Sequence, residues 1–101
     1  MPKLFEYLGI TILFYSNEHE PIHVHGKYQS MESKVEIIIE DGRITGIRIS
    51  EVKGKKPLPA KDAREFLAFV DKFKDDIVKK WIDYFVYHKS IDCIKIEGRV
   101  K

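Results

Sequence analysis

The chain has 101 residues, 44% of them hydrophobic and 34% charged, with a net charge of +2; this suits one soluble globular domain, residues 1–101, and leaves no room for a second. Six Phe, five Tyr and one Trp exclude a disordered chain, and no apolar run approaches the roughly 20 residues needed to cross a membrane. The opening Met-Pro-Lys-Leu-Phe-Glu is not a signal peptide, so a cytoplasmic location is expected.

The charge is unevenly spread. Residues 1–51 carry 5 basic and 8 acidic side chains (net −3), and residues 52–101 carry 13 and 8 (net +5). An acidic partner would prefer the second half, although a solvated helix rich in Lys and Asp gives the same count. The one cysteine, Cys93, has no partner for an internal disulfide and reads as a small buried hydrophobe.

In chain order, Leu4, Phe5 and Leu8 read as a short lead-in turn. The β-branched and aromatic run that follows predicts a strand over Gly9–Tyr15. Pro21 makes 17–22 a connection and keeps Glu20 extended. From Ile22 to Tyr28 the residues alternate, which puts His23, His25 and Lys27 on one strand face and Val24, Gly26 and Tyr28 on the other. Gln29–Ser33 is polar and reads as a turn or bulge, and Lys34–Glu40 as a third strand. Asp41-Gly42 is the strongest turn signal in the chain, because a tight hairpin needs positive φ at both positions. The return strand, Ile44–Ile49, leads to a basic loop containing Lys53, Lys55 and Lys56 that Gly54, Pro57 and Pro59 keep irregular.

Ala60–His88 is predicted helical, with apolar residues at 63, 66, 70, 73, 77, 81, 84 and 85 forming a stripe. One straight helix of that length would run roughly 40 Å, more than the breadth of a domain this size, so a bend or split near Phe73–Asp76 is expected. His88 would then sit at the helix C-terminus, where the dipole favours it. Ile91–Glu97 has strand character and either joins the same sheet or pairs with a second copy of the chain. The fold class that follows is α+β: a small antiparallel sheet of about four to five strands packed against a long C-terminal helix that is bent or split in two.

Three of the four histidines fall within residues 14–28, the densest chemistry in the chain. Neutral imidazole is a common metal ligand, and two of them at i and i+2 on one strand face can share an ion, which makes His19, His23 and His25 a candidate set for a divalent metal such as zinc. Nickel and manganese also suit such ligands. The stretch is not a His-Glu-x-x-His helix, nor a His-x-His closely followed by an acid, the next acid being Glu32. Two other chemistries stay open. His19 or His23 could act as a general base oriented by Glu18, or the rings could hydrogen-bond to Glu18, Tyr15, Tyr28 or the backbone and simply fix the turn. Ribonuclease chemistry would need Lys55 and Lys56 to fold back over the histidine strand.

The run Phe14-Tyr15-Ser16-Asn17-Glu18-His19-Glu20-Pro21-Ile22-His23-Val24-His25-Gly26-Lys27-Tyr28 resembles the signature of the domain-of-unknown-function 4160 family of small bacterial proteins. Leu58-Pro59 before the helix and Trp81 near its end are similar too. The resemblance marks Asn17, His19, Pro21, His23, His25 and Tyr28 as signature positions and carries no established activity. It implies a small antitoxin-like or regulatory protein as partner, in a pair of the toxin–antitoxin type. A homodimer through the C-terminal strand and a nucleic-acid partner stay open. On this reading Asn17, Tyr28, Lys55 and Lys56 are binding candidates, and the alternative is a metal-dependent hydrolase or ribonuclease built on His19, His23 and His25.

Overall fold

The computed structural model describes residues 2–15 and 21–100. Among them, the elements run β1 (Lys3–Tyr7), β2 (Ile10–Leu13), β3 (His23–Tyr28), β4 (Met31–Glu40), β5 (Arg43–Glu51), α1 (Ala60–Phe85) and β6 (Ile94–Ile96). The strands form one sheet in the order β5-β4-β3-β2-β1-β6. Neighbours are antiparallel except β1 and β6, which run parallel because the helix intervenes between them.

The sheet holds six strands, more than expected, and the added one comes from a short turn near the start of the chain. The predicted lead-in turn is strand β1, and the predicted strand from Gly9 is cut short at its start: Leu8 and Gly9, with φ of 50° and 80°, form a tight hairpin that pairs Tyr7 with Ile10. Likewise the polar segment after Tyr28 is not a loop. Gln29 and Ser30 reverse the chain, Gln29 with φ of 55°, and Met31 to Ser33 already belong to β4. The Asp41-Gly42 turn is present as expected, with φ of 51° and 77°.

The helix is one unbroken element of 26 residues, not split near Phe73. Its length, about 39 Å at 1.5 Å per residue, exceeds each 32 × 31 × 27 Å dimension of the domain but fits along a diagonal. Length alone therefore did not require a break. Ala63 N–H donates to the Pro59 carbonyl at 2.8 Å, starting the ladder. At the other end the helix stops at Phe85, so His88, with φ of 56°, lies beyond the last turn and not within it.

Leu4, Phe5, Tyr7, Ile10, Ile12, Phe14, Val24, Val35 and Ile37 from the strands form a buried core with Leu58 and the helix stripe Phe66, Phe69, Val70, Ile77 and Trp81. Each such side chain contributes on the order of 1.5–3 kcal/mol by leaving water. Phe69 packs on both Phe5 and Tyr7, at 5.0 and 4.6 Å between ring centres, and Trp81 packs edge-on against Phe14 at 5.2 Å. Burial weakens toward one edge: on β5, Ile44, Ile47 and Ile49 are only partly covered. At the other edge β6 is tied down beyond the strand itself, since Val100 N–H donates to the Tyr7 hydroxyl at 2.9 Å and Arg99 pairs with Glu65 at 3.0 Å. Cys93, just before β6, is exposed rather than buried.

Candidate functional site

Alternation in β3 works as the sequence dictates. Gly26 faces the helix, where a Cβ would stand 2.8 Å from the Phe66 ring, and His23 and His25 therefore share the opposite strand face. Their rings lie 5.2 Å apart. Both are buried, with 8% and 5% of their surface exposed, so the cluster is not the surface feature that its polarity suggests.

Each ring is held through Nδ1. His23 Nδ1 lies 2.8 Å from the Pro21 carbonyl, and because a carbonyl oxygen only accepts, that nitrogen carries the proton. In the neutral ring Nε2 then bears the lone pair. His25 Nδ1 lies 3.0 Å from Glu32 Oε2. As a carboxylate, Glu32 has only lone pairs to offer, so His25 Nδ1 also carries a proton. The Tyr15 hydroxyl donates to the same oxygen at 2.8 Å, and its ring meets His25 edge-on at 4.5 Å. Trp81 lies 5.6 Å from the His23 ring, joining the group to the core.

Glu32 is the residue that sequence reasoning passed over. It is 1% exposed, its Oε1 is buried without a hydrogen-bond partner among the described residues, and it reaches His25 diagonally across the β3–β4 hairpin, where Lys27 faces Glu32 and His25 faces Lys34. A two-residue turn at Gln29-Ser30 would have put Glu32 on the histidine face by simple alternation. Reading 29–33 as a loop hid that parity.

The remaining candidates are scattered. Asn17 and His19 lie outside the described residues, as do Glu18 and Glu20. Tyr28 stands on the face opposite the histidines, with its ring beside Gly9. Lys55 and Lys56 are exposed, but their loop does turn back: Glu32 N–H donates to the Lys56 carbonyl at 2.8 Å, and Met31 bridges Lys56 in parallel. The loop thus extends the sheet alongside the start of β4, one strand away from the histidines. Among the described residues no group of three His, Cys, Asp or Glu side chains is arranged to hold a metal ion; His23 and His25 offer two ligands of the predicted three.

A family model for a domain of unknown function, DUF4160, matches residues 9–82. The chain belongs to the DUF4160 family. The DUF4160 match spans β2 to β5 and most of α1, including the histidine strand, Glu32, the basic loop and Trp81. The strands outside it, β1 and β6, are neighbours at one side of the sheet. No curated protein and no solved structure matches the chain. No described helix is long and apolar enough to cross a membrane.

Proposed function

We propose that this DUF4160 chain is a small cytoplasmic bacterial protein that works by binding another protein, as the interaction component of a pair of the toxin–antitoxin type. One contrast carries the reading. His23 and His25 are buried and hydrogen-bonded through Nδ1, as a scaffold would be. The strand and loop from Arg43 to Lys56, with five cations and one acid, instead lie at the margin of the sheet and are largely solvent-facing. The histidine cluster would then fix Pro21 ahead of β3 and the start of β4, and so hold the sheet that carries the interaction surface in shape.

Affinity purification of the tagged full chain from its native host tests this. The product of an adjacent gene should be recovered in near-stoichiometric amount. Recovery of the chain alone, at its natural expression level, overturns the reading.

A metal-assisted hydrolase or ribonuclease is the second reading. It is favoured by the two Nδ1–H groups, because a metal-bound histidine usually donates its other ring N–H to a carboxylate or a backbone carbonyl, and by Glu32 Oε1, buried without a hydrogen-bond partner among the described residues. Calorimetric titration of zinc, nickel and manganese into wild type and His23→Ala separates the two readings. A heat of binding lost in the variant supports the metal site, and identical traces exclude a shared ligand at His23.

A further inference from the structure

We propose that β5 takes an extended acidic segment of a partner protein as a seventh strand, antiparallel to its open edge; this rests on the interaction reading above. β5 is a terminal strand of nine residues with β4 on one side only. Among the described residues its outer backbone edge has no ladder partner. Such an edge is a template for strand addition.

The side chains of β5 specify what could lie beside it. Register pairs Ile49 with Val35, Ile47 with Ile37 and Ile44 with Ile39 on the helix side of the sheet, and Arg48 with Glu36 and Arg43 with Glu40 on the other. An irregularity in the pairing near Thr45 keeps both series on their own faces. On the helix side an open groove of about 390 Å³ lies between Ile47 of the strand and Arg64, Leu67, Ala68 and Asp71 of the helix. An added strand would set alternate side chains into this groove against half-buried isoleucines, and the others beside Arg43 and Arg48.

Charge selects among occupants. Among the described residues, Arg48 alone of the five cations between Arg43 and Lys56 is in an ion pair, with Glu36 at 3.1 Å. A second copy paired antiparallel about Arg48 would set Arg48 against Arg48 and Arg43 against Lys53, whereas an acidic strand would neutralise them. A nucleic acid would meet the charge but could neither complete a peptide ladder nor fill an apolar groove. The favoured occupant therefore alternates apolar and acidic residues.

The probes are fluorescein-labelled ten-residue peptides of alternating Val and Glu or Val and Lys, and a ten-nucleotide oligouridylate, titrated into the full chain by anisotropy and by amide NMR. The Val/Glu peptide should bind, should shift the amides of residues 43–51, and should weaken roughly tenfold for Arg43→Glu/Lys53→Glu. Ala68→Glu, an exposed helix change that narrows the groove, should weaken it as well, with unchanged circular dichroism in both variants. Preference for the Val/Lys peptide or the oligouridylate, shifts away from β5, self-association that protects β5, or no binding would overturn the proposal. A stoichiometric partner recovered from cells that leaves β5 amides unprotected would sink the seventh strand and spare the interaction reading; failure to recover any partner would sink that reading itself.

Discussion

Glu32 Oε2 accepts from His25 Nδ1 at 3.0 Å, seven residues back along the chain and diagonally across a two-residue turn. Removing the imidazole leaves a buried carboxylate with the Tyr15 hydroxyl as its remaining side-chain donor among the described residues. A hydrogen bond to a charged group contributes roughly 1.5–3 kcal/mol, a large share of the 5–15 kcal/mol typical of a domain's stability. His25→Ala should therefore lower the urea midpoint by at least that equivalent. Tyr15→Phe should cost about 1 kcal/mol, and less when His25 is already gone, because both donors serve one oxygen. An unchanged midpoint in His25→Ala would rule out the scaffold role.

Gly26 carries a different constraint. Its φ is not in the left-handed region, so the requirement comes from space: three Phe66 ring atoms would stand 2.8–2.9 Å from a Cβ. The ring is fully buried, and its displacement disturbs the helix seat. Gly26→Ala should destabilise by about 1–3 kcal/mol through overpacking, whereas Gly46→Ala, with nothing within 4 Å of the added carbon, should stay near wild type. Thermal unfolding of the two variants side by side checks the contrast.

The tautomer of His23 follows from its acceptor. Long-range ¹⁵N–¹H correlation spectra at a pH where the ring is neutral should show Nδ1 protonated and Nε2 bare. The opposite pattern would mean that the Pro21 contact does not form in solution, and would remove the basis for assigning Nε2 the lone pair.

Cys93 is exposed, yet its thiol pKa is raised, first by the partial desolvation of its site and then by the Glu6 carboxylate. A raised thiol pKa means less thiolate at neutral pH. Iodoacetamide alkylation should accordingly be complete but slow, with a pH midpoint above that of an unperturbed cysteine. Glu6→Gln removes one of the two causes and should bring the midpoint down. A midpoint below the ordinary value would contradict the assignment.

Local rules accounted for much of what the molecule is. Period-two alternation was enough to place His23 and His25 on one face, because adjacent strand residues must point to opposite sides. Asp41-Gly42 announced its hairpin because few residue pairs adopt positive φ cheaply. The helix stripe announced its core face. What the sequence left open were relationships that exist only across strands. The Leu8-Gly9 and Gln29-Ser30 turns are weaker signals, since Leu8 and Gln29 seldom take positive φ, and missing them hid strand β1 at the first point and the opening residues of β4 at the second. Pairing then decided the rest: that Glu32 reaches His25, that the basic loop returns beside β4, that Ile94–Ile96 closes on β1, and that β5 is left with an open edge. None of these is encoded by spacing along the chain, because each depends on register, and register is set by how the whole buried face packs.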